Sequence, residues 1–222
     1  MPTIVGFISQ KGSVSKSTLA RALATEATKE KLKTIIIDID DLQNTSVKWM
    51  ERRQDYLSLY PNKEHFMPLF DVIRTDNLRK AIQEAQNSDL ILIDGPGRGT
   101  KLSLEIAKAS DLVIQPVAPS LDDLEPNIAL YDEIANRGVE TRKLYFAICR
   151  AGSDAEAAEA REYLNELDSP GPYPILPGYL PEKTGYRKIQ NEGRAITEAI
   201  HPSLRIKANK YIQGIADTLN NF

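Results

Sequence analysis

The stretch Gln10-Lys11-Gly12-Ser13-Val14-Ser15-Lys16-Ser17-Thr18 lies between a short apolar run and an amphipathic segment. The run from Thr3 to Ser9 is rich in β-branched residues and predicts a strand, whereas Ser17 to Glu30 predicts a helix. A loop that joins a strand to a helix N-terminus can hold a polyphosphate through its backbone N–H groups and the helix dipole. We therefore predict a phosphate-binding loop, in which Lys16 reaches the β- and γ-phosphates and Ser17 ligates magnesium.

The alternation of strand and helix continues along the chain. Apolar runs without polar alternation predict strands that are covered on both faces, as in a parallel sheet. This order predicts one α/β domain over residues 1–222, with a doubly wound, mostly parallel sheet and helices on both faces. We expect Pro116 and Pro119 to close one of the strands, and segment 169–181 to be a structured loop. The predicted strands are 34–37, 90–93, 112–114 and 143–149, and the predicted helices are 76–85, 101–109, 122–136 and 203–219.

Acidic residues follow two of the predicted strands. Asp38 and Asp40 come after the 34–37 strand, and Asp94 comes after the 90–93 strand and precedes Gly95-Pro96-Gly97. Because the carboxyl ends of parallel strands border the crevice where ligands bind, we expect these carboxylates to lie in one site. Asp94 is interpreted as a Walker B aspartate near the γ-phosphate.

Composition excludes several classes of protein. With 41% hydrophobic and 27% charged residues, the balance is that of a globular protein, and the net charge of −3 argues against a chain that is basic all over. No apolar stretch is long enough for a membrane span, and the N-terminus does not resemble a secretory signal. The single cysteine, Cys149, cannot form an intrachain disulfide. We expect a cytoplasmic protein without a membrane partner.

The phosphate loop does not meet the ordinary Walker A spacing, since Gln10 and Ser15 stand at its glycine positions. It fits the deviant spacing K-G-G-x-x-K-[ST] through Lys11, Gly12, Lys16 and Ser17, with Ser13 at the second glycine. It thereby resembles the ParA/MinD family of ATPases. The resemblance implies a P-loop NTPase fold, ATP or ADP with Mg²⁺, and slow hydrolysis to ADP and phosphate.

The resemblance also implies roles for single residues. Lys11, Lys16 and Asp40 would be catalytic: Lys11 would reach the partner's nucleotide in an ATP-sandwich homodimer, and Asp40 would orient the attacking water. Asp94 would hold magnesium through water, with Ser17 as a second metal ligand. Asp38 would support this network. The nucleotide-binding set implied by the resemblance is Lys11, Gly12, Ser13, Val14, Ser15, Lys16, Ser17, Thr18, Asp38, Pro116 and Pro119.

The C-terminal half of the chain also resembles the ParA/MinD family. The segment 112–120, with Pro116 and Pro119, resembles the strand end that lies near nucleotide and dimer interface in small ParA proteins. Segments 180–187 and 191–198 resemble the ParA pattern before its last helix. The likeness implies the short, ParF-like type of plasmid partition ATPase, which is stimulated by a small centromere-binding partner of the ParB/ParG kind. Such a protein binds DNA nonspecifically and associates with the nucleoid when ATP-bound.

Alternatives stay open at this point. In this family D-x-D-P-Q follows the second strand, but here Asp41 replaces the proline and Gln43 comes one residue late. A ParA-like switch with weak or no ATP binding is one alternative, motivated by Ser13, and a MinD-like protein at membranes is another. The basic C-terminal residues could contact DNA phosphates or simply be solvated; they are Lys183, Arg187, Lys188, Arg194, Arg205, Lys207 and Lys210.

Overall fold

A computed structural model describes residues 1–12, 14–39, 45–62, 67–97, 101–167 and 173–221. Strands and helices alternate in this part of the chain. The strands are β1 (Thr3–Phe7), β2 (Thr34–Asp38), β3 (Asp71–Arg74), β4 (Leu90–Asp94), β5 (Leu112–Val117), β6 (Leu144–Ala151) and β7 (Leu180–Pro181). The helices are α1 (Lys16–Lys29), α2 (Thr45–Leu59), α3 (Leu78–Glu84), α4 (Lys101–Ala109), α5 (Leu121–Asn136), α6 (Asp154–Glu166), α7 (Thr184–Asn191) and α8 (Pro202–Asn220), with 3₁₀ turns at Thr141–Lys143 and Ile196–Glu198.

The strands form one sheet in the order β3-β2-β4-β1-β5-β6-β7, and every described pairing is parallel. The chain moves from β1 towards one edge through β2 and β3, and after β4 it crosses to the other side of β1 to form β5. This change of direction creates the crevice in which open α/β sheets bind ligands, at the carboxyl ends of the strands. The predicted α/β fold class is confirmed.

Alternating side chains of the buried strands pack on opposite faces of the sheet. In β2, Ile35 and Ile37 join the core beneath α3, α4, α5 and α6, whereas Ile36 joins the core beneath α1, α7 and α8. Each face is covered by helices, which is why β2, β4 and β5 consist almost wholly of buried residues. None of the described helices is both long and apolar enough to span a membrane.

Several boundaries differ from the sequence-based prediction. The strand expected at 112–114 continues through Pro116, which pairs with Ala147 of β6. Because the β1 pairing reaches only Ile114, Pro116 has no strand neighbour on that side, and its missing N–H removes no bond there. Helix α3 begins at Leu78 rather than at residue 76, since the Asn77 side chain accepts the Lys80 N–H and caps the helix. Strands β3 and β7 and helices α6 and α7 were not predicted.

Candidate nucleotide-binding site

The predicted phosphate loop lies between β1 and α1, with Ser15 directly before the helix. Ser15 adopts φ 84°, the left-handed region in which glycine is favoured. A second loop packs closely against this one, because a Cβ atom at Gly97 would lie 2.9 Å from the Gly12 Cα and 3.2 Å from its nitrogen. Position 97 therefore requires glycine, whereas a Cβ at Gly12 would meet no atom within 4 Å. Ser13 lies outside the described residues.

Lys16, the first residue of α1, is 6% exposed. Its Nζ donates to the Ser9 Oγ at 2.9 Å and to the Lys11 carbonyl oxygen at 3.2 Å. Both acceptors belong to the loop or to the strand end before it. The ammonium group is thus already at the loop, held by neutral oxygens that phosphate oxygens can replace.

The carboxylates of Asp38 and Asp94 stand at the ends of neighbouring strands. The two residues are paired in register across β2 and β4, and both are buried. Ser46 joins them, since its backbone N–H donates to the Asp38 Oδ2 at 2.8 Å and its Oγ donates to the Asp94 Oδ2 at 2.8 Å. The Asp94 Oδ1 is buried and has no hydrogen-bond partner among the described residues. Asp40, the expected water-orienting residue, lies outside the described part of the chain.

Arg21 completes this network and was missed by the sequence interpretation. Its Nε donates to the Ser46 Oγ at 3.1 Å, and its guanidinium carbon lies 5.6 Å from the centre of the Trp49 ring. Burial lowers the pKa of Arg21 to about 10, although Asp94 and Asp38 oppose that fall, so the side chain is charged at neutral pH. The i,i+4 spacing places Arg21 on the same helix face as Ser17, but it does not say which strand ends that face meets.

Two further hydroxyl groups meet where α1 and α2 begin. The Ser17 Oγ lies 3.0 Å from the Thr45 Oγ1, which brings the start of α1 to the start of α2. No group of three or more His, Cys, Asp or Glu side chains suited to a metal occurs within the described ranges. Mg²⁺ in proteins is usually bound by one or two carboxylates together with hydroxyl and phosphate oxygens. The Asp94 oxygen that has no partner among the described residues suits that ion.

A cleft of about 350 Å³ opens beside the loop. One wall is formed by the loop and α1, and the other by the end of β6, by β7 and by α7. Among the described residues that line it, the charged side chains are five cations and one carboxylate, Glu182, so this part of the cleft favours an anionic ligand. The cations are Lys16, Arg21, Arg150, Lys183 and Arg187.

The structure brings part of the predicted nucleotide set to this cleft. Gly12, Ser15, Lys16, Ser17 and Thr18 line it. The remaining described members of the nucleotide set do not line it; they are Lys11, Val14, Asp38, Pro116 and Pro119. Asp94, the predicted metal ligand, is also absent from the lining, and it is linked to Asp38 through Ser46.

Lys11 points to another part of the surface. Its side chain is 42% exposed, and its Nζ lies 3.8 Å from the Asp123 Oδ1 in the first turn of α5. The backbone next to it is held as well, since the Gln10 N–H donates to the Asn127 Oδ1 at 2.9 Å. Lys11 therefore stands away from the cleft of its own chain.

Comparison with solved structures shows the fold shared by this chain. An ATP complex of a variant of McdA from Cyanothece is 17% identical, with a TM-score of 0.70, covering 99% of this chain and 96% of that one. MinD of Pyrococcus horikoshii with Mg-ADP is 17% identical, with a TM-score of 0.71 and coverage of 98% and 96%. A ParA family ATPase from Chlorobium tepidum is 15% identical, with a TM-score of 0.69 and coverage of 96% and 99%. A comparison with curated protein sequences finds no match.

The family model described as "ATPase MipZ" matches residues 3–160, which is more than half of the chain. The matched region contains the phosphate loop, both strand-end carboxylates and the strand that carries Pro116. The chain belongs to the MipZ family of ATPases, within the ParA/MinD superfamily.

Proposed function

We propose that the 222 residues form one ATPase domain that binds ATP and Mg²⁺ in the cleft beside the phosphate loop and hydrolyses ATP slowly to ADP and phosphate. The observation that carries this proposal is the excess of cationic side chains around a cleft that begins at a helix N-terminus. Family membership supports the same activity.

Binding begins with the exchange of partners at Lys16. Its ammonium leaves the Ser9 hydroxyl and the Lys11 carbonyl and contacts the β- and γ-phosphates. Ser17 and Asp94 supply oxygens to the metal, and Ser46 fixes the orientation of the Asp94 carboxylate. When bound, Mg²⁺ would neutralise charge that develops on the transferred phosphoryl group.

The remaining roles follow from the family resemblance. Asp40 orients the attacking water, and Lys11 contacts the nucleotide of a second subunit in an ATP-dependent homodimer. The position of Lys11 supports this assignment, because the side chain is exposed and turned away from its own cleft.

In the cell we assign this ATPase to segregation of a plasmid or other DNA cargo in the cytoplasm, on the nucleoid when ATP is bound. A small ParB/ParG-like partner would stimulate hydrolysis. Exposed Lys183, Lys188 and Lys210 are available for nonspecific contacts with DNA phosphates. Arg194 is less suited to DNA, since its side chain is 11% exposed and donates to the Glu198 carbonyl at 2.6 Å.

A MinD-like role at a membrane surface is the second candidate. Ile206 in the second turn of α8 is 65% exposed, and its sequence neighbours are Arg205 and Lys207. An exposed apolar side chain among cations is the arrangement that anionic lipid surfaces attract.

The third candidate function is a nucleotide switch that binds ATP weakly because Ser13 stands at the second glycine of the loop.

One set of measurements separates these candidates. With ATP and Mg²⁺, the wild-type protein should hydrolyse ATP and sediment with DNA of any sequence, with an affinity that falls steeply as salt rises. Lys16→Ala should lose ATP affinity by at least about a hundredfold, because it removes a charge-assisted bond to two phosphates. Lys29→Ala, which removes an exposed lysine from the same helix, is the matched control.

Sedimentation with anionic vesicles, in place of DNA, would support the membrane role instead. Wild-type protein that binds no ATP in a calorimetric titration would contradict the ATPase and support the weak switch.

A further inference from the structure

Arg21 brings a fixed positive charge to the end of the sheet where two carboxylates are buried. Asp38 and Asp94 are 0% and 1% exposed, and they lie in adjacent strands at the same register position. Two like charges this close disfavour an anionic ligand, and they disfavour it more strongly at low dielectric. Arg21, at 6% exposed, is bonded to the same Ser46 hydroxyl that donates to Asp94.

We propose that Arg21 is a positioning residue that replaces part of the charge of the divalent metal, so that ATP binds with less dependence on Mg²⁺ than the two carboxylates alone would allow. This inference rests on the proposed nucleotide site. It adds that the metal dependence of binding is set within α1, by a side chain one helical turn beyond Ser17.

The geometry keeps this charge in place. The guanidinium is bonded to Ser46 on one side and lies over the Trp49 ring, and these two contacts restrain its orientation. Its Nη2 is buried and has no hydrogen-bond partner among the described residues, although Arg21 lines the cleft. An arginine that served only to pack against Trp49 would not need to line the cleft and to bond to the hydroxyl that donates to Asp94.

Removal of the metal should reveal this role. Without Mg²⁺, Arg21, which lines the cleft, is the counter-charge near the phosphates and the buried Asp94 and Asp38. In Arg21→Gln that counter-charge is lost, and the repulsion between the phosphates and the carboxylates is no longer offset. With Mg²⁺ bound, the loss matters less, because the metal itself neutralises the carboxylates.

The experiment measures the dissociation constant of ATP by calorimetry in excess Mg²⁺ and in EDTA. For each protein we take the ratio of the dissociation constant in EDTA to the dissociation constant in excess Mg²⁺. Arg21→Gln should raise this ratio by about tenfold over wild type, from the Coulomb energy of a unit charge near the phosphates. Arg21→Lys, which keeps the charge, should stay close to wild type. Arg79→Gln removes the same charge from the exposed surface of α3 and should leave the ratio unchanged.

The double variant Arg21→Gln with Asp94→Asn provides a test that keeps the net charge of Arg21, Asp38 and Asp94 at its wild-type value. In EDTA it should bind ATP within about threefold of wild type, since one charge of each sign has been removed. Circular dichroism and thermal melts of each variant show that the fold is retained.

Two results would overturn the inference alone: an equal ratio in wild type and in Arg21→Gln, or a double variant that binds tenfold more weakly than wild type in EDTA. If wild-type protein does not bind ATP even with Mg²⁺, both the inference and the proposed function are wrong.

Discussion

Ser15 occupies a backbone conformation that a side chain makes costly. At φ 84° the Cβ of an L-residue crowds its own carbonyl, and the cost is about 1–2 kcal/mol. In partial compensation, the Ser15 side chain interacts with the Cys149 thiol, a fully buried group whose pKa burial raises to about 12. An interaction with sulfur is weak, so the strain of the loop is not fully offset.

Ser15→Gly should therefore raise the free energy of unfolding by about 1 kcal/mol, because glycine adopts positive φ without crowding. Denaturant titration measures the change. Lys31→Gly is a matched control, since Lys31 has φ 67° but is exposed and far from the loop in sequence. If Lys31→Gly stabilises the protein while Ser15→Gly destabilises it, the contact with Cys149 outweighs the strain and the prediction is wrong.

The site residues that could be predicted from sequence are those fixed by local spacing. Lys16 and Ser17 follow from one loop, and Asp94 follows from its place at the end of an apolar run. Ser46 and Arg21 act across the space between β2, β4 and α1, so their roles depend on which strands are neighbours. That information belongs to the sheet order, which a single sequence does not contain.

At the scale of elements, α2 is fixed to the segment before α8 by a buried ion pair. The side chains of Arg53 and Glu198 are 0% and 5% exposed and make two bonds, at 2.7 and 2.8 Å. Arg53 also donates to the Gly193 carbonyl, and a Cβ at Gly193 would clash with the Arg53 backbone nitrogen. The ParA-like segment 191–198 thus has a structural role in joining two elements.

Glu198→Gln should lower the free energy of unfolding by about 3 kcal/mol, because it leaves Arg53 buried without its counter-charge. Glu192→Gln is the control, since Glu192 pairs with Arg194 at 3.5 Å while 45% exposed, and its loss should cost less than about 1 kcal/mol. Equal effects of the two substitutions in urea titrations would show that the buried pair does not stabilise the junction.

The strands and helices that were not predicted from the sequence have weak hydrophobic patterns or are short. Strand β3 has four residues with exposed ends, as expected of an edge strand. Helix α6 buries only Ala157, Ala160 and Leu164, and small alanines give little apolar periodicity. Helix α7 has eight residues, which is about two turns. Central strands such as β2 and β4 were predicted because burial on both faces requires continuous apolar runs.

At the scale of the whole molecule, the sheet order places the cleft and Lys11 on different surfaces. The cleft lies between the loop and the β6–β7–α7 wall, whereas Lys11 lies beside α5. An exposed ion pair such as Lys11–Asp123 contributes about 0–1 kcal/mol, so it restrains the lysine little. Lys11 can therefore leave Asp123 for the nucleotide of a second subunit at small cost.

Lys11→Ala should separate ATP binding from dimerisation. In sedimentation velocity with ATP and Mg²⁺, we expect wild-type protein as a dimer and the variant as a monomer, because the variant lacks the charge that would reach the other subunit. ATP affinity of the monomer should stay within a few fold of wild type, since Lys16 and Ser17 remain in the cleft. Lys80→Ala removes a lysine that makes a comparable exposed pair, 3.7 Å from Glu84, and should dimerise normally. A Lys11→Ala protein that dimerises as wild type does would show that Lys11 acts only within its own chain, and the assembly would then need another contact to the nucleotide.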